Sequence, residues 1–381
     1  MPDKTVHMSA APFEIFLSTS PGLEELLLQE VKEAGFNNPK ATAGGITISG
    51  DWEDVWRANL SLRGASKVLA RIGEFRAFHL AQLDKRARKF PWEDTLTSGS
   101  KVKVEVSTNK KSKIYHAGAA EERIERAISE GFGAEIVDSK QDADIVIKTR
   151  IDRNNVILSV NTSGQGLHKR GYKQAMGKAP MRETMAALCL RGCGFKGDEP
   201  VLDPMCGSGT FLIEAAETSA GLLPGRSRSF AFEKLATYDA ERVDKLKAEK
   251  PRLDVKHHFY GSDRNVKVIE FANENAARAG VTQHCTFSPM PLTALERPDG
   301  PPGLVIVNPP YGARVGKKKD LFALYNSFGQ IMQEKFQGWR VGMITSDTNL
   351  AQATNLPWLP TDAPINHGGL RVKLFKTRVL K

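Results

Sequence analysis

The stretch VLDPMCGSGTFLIEAA, residues 201–216, joins a short apolar strand to a helix through a loop that contains Gly207 and Gly209. Glycine adopts backbone conformations with positive φ, and it leaves no side chain between the main chain and a bound group. The loop departs from the GxGxxG pattern of dinucleotide sites and lacks the GK[ST] ending of a P-loop. The stretch therefore predicts a ligand site at a strand-to-helix turn, but neither fingerprint identifies the ligand.

Apolar strand-like segments alternate with helical segments on both sides of this stretch, from Gly164 to the end of the chain. Further strands are predicted within HHFYGSD (257–263), GLVIVNPPYG (303–312) and WRVGMITSD (339–347). Such alternation is typical of an α/β fold with a doubly wound, mainly parallel sheet. Ligands of these sheets bind beyond the carboxyl ends of the strands. We therefore expect the polar ends of these segments to meet there.

Asp263 ends the first of these strands. An acidic residue in this place commonly accepts hydrogen bonds from ribose hydroxyls, which indicates a cofactor that contains adenosine. It follows Gly209 by 54 residues, well beyond the usual spacing of about 20. A charged, mostly helical insertion, residues 220–252, accounts for the excess. The alternative is that Asp263 only caps a helix that begins near Val266.

NPPYG, residues 308–312, ends a buried apolar strand. The prolines stiffen the turn, and the amide oxygen of Asn308 lies beside the carbonyl of Pro309, so that two acceptors can hold one exocyclic amino group. Tyr311 offers a ring on which a base can stack. These residues predict a site for a planar amine extruded from its stack. A simple proline turn is the alternative, and it leaves Asn308 and Tyr311 unexplained.

Residues 1–165 show shorter, alternating strands. This alternation suits sheets with one solvated face. The predicted elements are a strand and a Leu-rich helix within residues 13–36, a strand at 44–50, a helix capped by Asp51, a strand at 101–108, a helix at 117–130 and a hairpin within 142–164.

The net charge of +10 indicates a polyanionic partner, because contacts of Lys and Arg to phosphates release counterions. Residues 67–113 hold 12 basic and 5 acidic side chains, among them KRARK (85–89) and the lysines Lys110, Lys111 and Lys113. The alternative is an ordinary solvated surface.

Other classes of protein are disfavoured by the composition. No stretch approaches twenty apolar residues and no signal peptide is evident, so we expect a cytoplasmic protein without a membrane span. The four cysteines are scattered, so we expect reduced thiols and no metal site. They are Cys189, Cys193, Cys206 and Cys285.

The chain resembles the THUMP-containing S-adenosylmethionine-dependent methyltransferases that modify the N2 amine of guanine in RNA, such as those of bacterial large-subunit ribosomal RNA. The segments that carry the resemblance are DPMCGSGT (203–210), NPPYG (308–312), GLHKRGYK (166–173), APMRET (179–184) and HGGLRVKLFK (367–376). The resemblance implies a ferredoxin-like region (1–75), a THUMP domain that binds RNA (76–165) and a Rossmann-like class I methyltransferase domain (166–381).

The resemblance also implies roles for individual residues. The cofactor S-adenosyl-L-methionine would be bound by Asp203, Pro204, Cys206, Gly207, Ser208, Gly209, Thr210, Asp263 and Asn308. The catalytic tetrapeptide would be Asn308, Pro309, Pro310 and Tyr311. RNA would be contacted by Tyr311, His168, Lys169, Arg170, Lys110, Lys111 and Lys113.

One segment departs from the family pattern. Where relatives carry an acidic or polar residue against the adenine, this chain has FSPMPLTAL (287–295), in which Ser288 or a backbone group is the only candidate. KKKD (317–320) is either a phosphate-facing loop or a solvated turn. Ribosomal RNA is the expected substrate. The alternatives are transfer RNA, a DNA adenine, and a non-catalytic RNA-binding protein.

Overall fold

The computed structural model describes residues 11–174, 181–249, 252–311 and 318–381. The N-terminal part contains β1 (Phe13–Ser18), α1 (Glu24–Glu33), β2 (Lys40–Thr42), β3 (Gly45–Gly50), α2 (Trp52–Ser61), β4 (Lys67–Arg76), α3 (Leu80–Arg88), β5 (Lys101–Thr108), α4 (Ala117–Phe132), β6 (Glu135–Ile136), β7 (Ile145–Asp152) and β8 (Asn155–Asn161).

These strands form one continuous sheet in the order β2-β3-β1-β4-β8-β7-β5-β6. Strand β4 is the junction, because it pairs with β1 on one side and with β8 on the other. The predicted hairpin is β7–β8, and its turn holds Arg153 and Asn154 at φ 50° and 64°. The ferredoxin-like and THUMP regions therefore share a single sheet.

The C-terminal part contains α5 (Glu183–Gly192), β9 (Val201–Asp203), α6 (Thr210–Ser219), α7 (Ala240–Ala248), β10 (Phe259–Asp263), α8 (Val266–Ala279), β11 (Cys285–Pro289), β12 (Leu304–Val307), α9 (Lys318–Lys335), β13 (Arg340–Thr345), α10 (Thr348–Gln352), β14 (Ile365–His367) and β15 (Leu370–Lys376).

The second sheet has the order β11-β10-β9-β12-β13-β15-β14, and its first five strands are parallel. Strands β15 and β14 complete it in antiparallel pairing. Strand β12 is fully buried from Leu304 to Val307, because helices cover both faces of the sheet. The predicted doubly wound, mainly parallel sheet is confirmed, and β9 lies at its topological switch point between β10 and β12.

The insertion that separates α6 from β10 binds the C-terminal part to the N-terminal part. Its backbone amides at Gly225, Phe232 and Ala236 donate to carbonyls at Leu60, Thr162 and Thr95, over 3.0, 2.9 and 3.0 Å. Ion pairs of Lys234 with Asp144 and of Arg242 with Glu53 add to this contact. The insertion is therefore a strap across both parts of the protein.

Arg228 of this strap holds residues 163–169, which follow β8 and lead from the first sheet toward the second. Its guanidinium donates to four backbone carbonyls at 2.8–3.1 Å, which belong to Ser163, Gln165, Gly166 and Lys169. Burial, with the charge of Arg170 nearby, lowers the pKa of Arg228 to about 10, so it remains protonated at neutral pH. One side chain thus fixes the path of residues 163–169.

Among the described helices, none combines the length and the apolar character that crossing a bilayer would require.

Candidate active site

Asp203 ends β9 at the carboxyl edge of the sheet and is only 3 % exposed. One of its carboxyl oxygens accepts a hydrogen bond from the amide of Met205 at 3.0 Å. Burial, to which the charge of Asp263 adds, raises the pKa of Asp203 well above its usual value. A cationic group brought to this edge would be stabilised by the carboxylate and would lower that pKa again.

The two glycines of the loop have different functions. At Gly209, with φ +81°, a Cβ would lie 3.0 Å from the ring of Phe287 and 3.2 Å from Ala272. At Gly207, with φ +53°, a Cβ would meet no atom of the described chain within 4 Å. Gly209 therefore permits close packing against α8 and β11, whereas the Cβ position of Gly207 is clear of the described chain.

Neighbouring elements hold the rest of the loop in place. The amide of Cys206 donates to the carbonyl of Ser262 at 2.9 Å, and the side chain of Asn275 in α8 donates to the carbonyl of Ser208 at 3.2 Å. Thr210 begins α6, and its hydroxyl accepts from Nζ of Lys173 at 2.8 Å. The loop predicted to bind the cofactor is thus fixed from three directions, and Pro204 lies within it.

Asp263 joins this loop to β10. Its carboxylate accepts hydrogen bonds from the amides of Gly207 at 3.1 Å and of Asn265 at 3.0 Å. The N-cap of α8 is Asn265, whose side chain accepts from the amide of Lys267. The capping alternative for Asp263 is therefore not what the structure shows. The free lone pairs of Asp263 remain available at the edge of the site.

The segment predicted to lie near the adenine follows β11. The amide of Met290 donates to the carbonyl of Asp263 at 3.0 Å, and Ser288 pairs with Ser262 across the two strands. Ser288 is half-buried. These contacts bring the segment next to Asp263, and they do not select one residue as the adenine contact.

Asn308 follows directly after β12. Its amide oxygen is buried and accepts no hydrogen bond from the residues that the structure describes. A buried acceptor without a partner costs about 1–3 kcal/mol, and a ligand that supplies a donor removes that cost. Asn308 thus lies at the carboxyl edge, beside the glycine loop of the neighbouring strand β9, and its role as acceptor for a substrate amine stays a prediction.

Tyr325 in α9 supports the tetrapeptide and was not anticipated from the sequence. Its hydroxyl lies 3.3 Å from the carbonyl oxygen of Pro310 and 3.3 Å from Oγ1 of Thr345 at the end of β13. This contact holds the carbonyl of Pro310 and leaves that of Pro309 for the predicted acceptor role. Tyr325 belongs to an apolar helix face with Phe328 and Met332, which gave it the sequence pattern of a core residue.

Tyr311 is half-buried and packs against two groups of buried apolar side chains, one on each face of β12. The first group includes Ile306 and the second includes Val307. Burial, with a contribution from Cys189, raises the pKa of its phenol to about 12. The side chain is therefore a neutral ring at physiological pH, as stacking requires. Gly312 and Lys317 lie outside the described residues, and Lys319 and Asp320 of KKKD are exposed.

The segment 168–170, predicted to contact RNA, divides into exposed and buried residues. Lys169 is exposed and His168 is half-buried. Burial, assisted by the charges of Arg182 and Lys169, lowers the pKa of His168 to about 4. Arg170 is 3 % exposed, and its guanidinium lies 3.1 Å from Glu214 and 2.7 Å from the carbonyl of Arg63. Arg170 therefore has a structural position in place of the predicted contact with RNA.

Arg170 is part of a buried charge cluster on helix α6, which follows the loop predicted to bind the cofactor. Arg63 of the N-terminal part lies 3.1 Å from Glu214 and 3.4 Å from Glu217, and Arg226 of the strap also pairs with Glu217. Burial alone would raise the pKa of Glu214, but the guanidiniums of Arg170 and Arg63 hold it below its ordinary value. Helix α6 is thereby tied to the N-terminal sheet and to the strap.

Replacing Arg170 with alanine should lower the free energy of unfolding by about 3–5 kcal/mol, because it leaves a buried carboxylate poorly compensated. Urea denaturation followed by circular dichroism measures this loss, with exposed Arg150→Ala as the matched control. The depressed pKa of Glu214 stabilises the fold above the unfolded value of about 4.3, and this contribution disappears as the pH falls through the folded value. If the stability lost in Arg170→Ala did not diminish in acid, the ion pair of Arg170 with Glu214 would not be its cause.

The three predicted lysines of the N-terminal sheet lie on the loop between β5 and α4, and all are exposed. The ammonium of Lys113 lies 5.6 Å from the ring centroid of Phe78. Tyr115, on the same loop, is 75 % exposed. This loop combines cations with accessible rings, which is a composition suited to nucleic acid.

Family models match three consecutive parts of the chain. They are described as an RlmL ferredoxin-like domain at residues 14–69, a THUMP domain at residues 78–161 and an RMKL-like methyltransferase domain at residues 170–359. The order and bounds of these matches agree with the sheet described above, in which β4 joins the first two parts.

Among curated relatives, the chain is 34 % identical over 345 residues to the ribosomal RNA large subunit methyltransferase K/L of Vibrio cholerae. The match covers 87 % of this chain and 48 % of that protein. The chain thus spans about half the length of the curated relatives it matches.

Two solved structures match nearly the whole chain. SMU.472, a putative methyltransferase complexed with S-adenosylhomocysteine (SAH), has a TM-score of 0.86 at 26 % identity and covers 97 % of this chain and 99 % of its own. A structure from Listeria monocytogenes, described as a predicted N6-adenine-specific DNA methylase, has a TM-score of 0.86 at 28 % identity, with 97 % and 96 % covered.

Proposed function

Because the chain belongs to the family of methyltransferases that join an RlmL ferredoxin-like domain, a THUMP domain and an RMKL-like catalytic domain, we propose that it methylates N2 of a guanine in large-subunit ribosomal RNA, with S-adenosylmethionine as donor. The observation that carries the proposal is the buried amide oxygen of Asn308, which has no partner in the described chain. An exocyclic amine supplies the donor that this oxygen requires.

The residues at the carboxyl edge fit the cofactor. S-adenosylmethionine, when bound, supplies a methyl group activated by a positively charged sulfur. Asp203, whose carboxyl is buried and favours a cationic neighbour, suits the methionine part. Asp263 offers carboxylate oxygens to ribose hydroxyls, and the open space beside Gly207 accepts a ligand close to the backbone. Thr210, Ser208 and Cys206 keep this loop in shape.

The tetrapeptide acts by positioning the amine. The oxygen of Asn308 and the carbonyl of Pro309 each accept one hydrogen of the guanine amine, which directs the nitrogen lone pair toward the methyl donor. Both acceptors also stabilise positive charge as it develops on that nitrogen. Tyr311 stacks on the extruded base, and Tyr325 keeps the turn rigid through Pro310. No general base is needed, because the proton leaves to water after transfer.

RNA is favoured over DNA by the N-terminal part. The basic band at residues 67–113, and the loop that carries Lys110, Lys111 and Lys113, belong to the sheet that includes the THUMP match. We propose that this part, residues 76–165, binds RNA and that residues 166–381 carry the chemistry. Transfer RNA is the second candidate, because the family that the chain resembles includes enzymes that modify guanine in transfer RNA.

The proposed function is tested by mass mapping of modified nucleosides in RNA from cells with and without this protein. We expect one N2-methylguanosine to disappear from large-subunit ribosomal RNA. A loss confined to transfer RNA would transfer the assignment to that substrate. A loss of N6-methyladenine from DNA, with ribosomal and transfer RNA unchanged, would reject it.

Replacing Lys110, Lys111 and Lys113 with alanine should weaken RNA binding and reduce the slope of log K against log salt by about one per lost phosphate contact. Filter binding at several salt concentrations measures the slope. The exposed lysines Lys196, Lys245 and Lys247 provide the matched triple variant. Cofactor affinity should be unchanged in both. A slope equal to that of wild type would make the loop ordinary solvated surface.

A further inference from the structure

The hairpin β14–β15 extends beyond the catalytic edge of the sheet. Strand β15 runs antiparallel to β13, and the last residue of β13, Thr345, pairs with Lys373. Leu370 precedes Lys373 by three residues, and it pairs only with His367 of β14. At about 3.3 Å per residue, the hairpin tip therefore lies roughly 10 Å beyond the end of β13.

This tip lies near the tetrapeptide. Val307 pairs with Met343, so Thr345 is level with Pro309, two residues further along each strand. Strand β15 is two strands away from β12, which is about 10 Å at the usual strand spacing. The contact of Tyr325 with both Thr345 and Pro310 ties the two regions together. The hairpin thus overhangs the edge at which Asn308 ends β12.

The hairpin tip is apolar and has cations around it. Leu370 continues the inward row of Leu374 and Val372, which are 5 % and 0 % exposed, but is itself 47 % exposed. Arg371 beside it is exposed. Burial, with the charges of Arg182 and Lys173, lowers the pKa of His367. Arg182 is exposed, whereas the side chain of Lys173 is buried in an ion pair with Glu183. An exposed leucine beside cations is suited to a nucleic acid, because the cations can contact its phosphates and the leucine can contact its bases.

Strand β14 is held against the N-terminal part, and the turn after it is clear of other described residues. The amide of Asn366 donates to the carbonyl of Pro21 at 3.3 Å, and a Cβ at Gly22 would lie 2.4 Å from the carbonyl oxygen of Pro364. At the turn, Gly368 and Gly369 have φ +56° and +81°, and a Cβ at either would meet no described atom within 4 Å. Strand β14 therefore contacts the N-terminal part, and the two turn glycines carry no described atom within 4 Å of an added Cβ.

We propose that this hairpin is a wedge for RNA, in which Leu370 enters the stack at the position left by the extruded guanine and Arg371 contacts the neighbouring phosphate. The inference rests on the proposed function, because a base must leave its stack to reach the buried oxygen of Asn308. Apolar side chains inserted at base steps are a known means of holding nucleic acid open. The wedge would stabilise the extruded state and leave methyl transfer itself unchanged.

The test compares two RNA substrates that contain the same target guanine, mapped first with wild-type protein on a transcript of large-subunit ribosomal RNA. One is a short duplex in which the guanine is paired, and the other is the same strand without its complement. Single-turnover methyl transfer is measured with labelled S-adenosylmethionine for wild type, Leu370→Ala and Leu370→Phe. The matched control is Leu253→Ala, because Leu253 is also an exposed leucine, with 55 % of its surface accessible. Its backbone amide donates to the carbonyl of Ala220, just after the end of α6 that lies away from the glycine loop.

Leu370→Ala should slow methylation of the duplex by about tenfold or more, because unstacking costs a few kcal/mol per base step. It should leave the single strand nearly unaffected, Leu370→Phe should restore the rate on the duplex, and Leu253→Ala should match wild type. Equal rates of Leu370→Ala and wild type on the duplex would overturn the wedge, as would equal slowing on both substrates. Absence of guanine methylation by wild type would reject the proposed function instead.

Discussion

Asn308→Ala should slow methyl transfer by about 10²–10³-fold, the usual cost of removing one fixed group aimed at a developing charge. The amine then has a single acceptor, and its lone pair is no longer directed along the line of transfer. RNA affinity should change little, because phosphate contacts dominate it. Single-turnover kinetics at saturating RNA measures the rate, and exposed Asn326→Ala is the control. A near-normal rate in Asn308→Ala would mean that NPPYG has no catalytic function and is only a turn.

Variants of Tyr311 should affect RNA binding as well as the rate of methyl transfer, and the same experiment measures both. Tyr311→Ala should weaken productive binding as well as the rate, since stacking on an extruded base contributes about 1–3 kcal/mol. Tyr311→Phe should be mild, because stacking requires the ring, and the phenol is already un-ionised with a pKa of about 12. A severe defect in Tyr311→Phe would instead assign a function to the hydroxyl.

Asp263→Ala should lower the affinity for S-adenosylmethionine by about 10–100-fold or more, because a hydrogen bond to a charged group contributes about 1.5–3 kcal/mol. The substitution also removes the acceptor of the Gly207 amide and so loosens the loop. Asp203→Ala should have a comparable effect, because the cationic ligand loses its buried carboxylate. Titration calorimetry with the cofactor measures both variants.

Asp299, exposed on the loop before β12, provides the matched control in Asp299→Ala. Far-UV circular dichroism should show that the fold is retained in all three variants. Unchanged affinity in both Asp203→Ala and Asp263→Ala would remove the cofactor assignment. Asp263→Asn refines the result, since it keeps one oxygen for the Gly207 amide while losing the charge that ribose hydroxyls prefer.

The C-terminal sheet could be predicted because its central strands, β9 and β12, are fully buried. Leu304–Val307 reads as an uninterrupted apolar run, and its polar successor marks the carboxyl end where ligands bind. The same logic located Asp203, Asp263 and Asn308 before any coordinates. An uninterrupted apolar composition is enough to predict that a strand is buried on both faces.

The N-terminal sheet was harder to predict. Strand β4, KVLARIGEFR, carries polar residues along its half-solvated part, and α3 is rich in basic residues, so neither stands out as an element by apolar periodicity. Their positions are set by pairing with β1 and β8, which are far apart in the chain. Long-range pairing of this kind leaves little trace in a local pattern.

Arg170 and Tyr325 show a different limit of the sequence. A basic residue within GLHKRGYK has the composition of an RNA contact, and only the fold reveals Glu214 beside it. Tyr325 has the spacing of a core residue, and only the fold places its hydroxyl against Pro310. Both depend on partners in other elements, so their functions follow from tertiary structure.

The four carbonyls held by Arg228 have a consequence for the choice of nucleotide. With residues 163–169 held by Arg228, the proposed enzyme would keep its N-terminal sheet and the edge that carries Asn308 at a constant separation. RNA anchored by the loop of Lys110 to Lys113 would then present only those guanines that lie at the matching distance along its folded shape. Target choice would be a measurement of length and geometry, for which the bases around the methylated guanine need not be read.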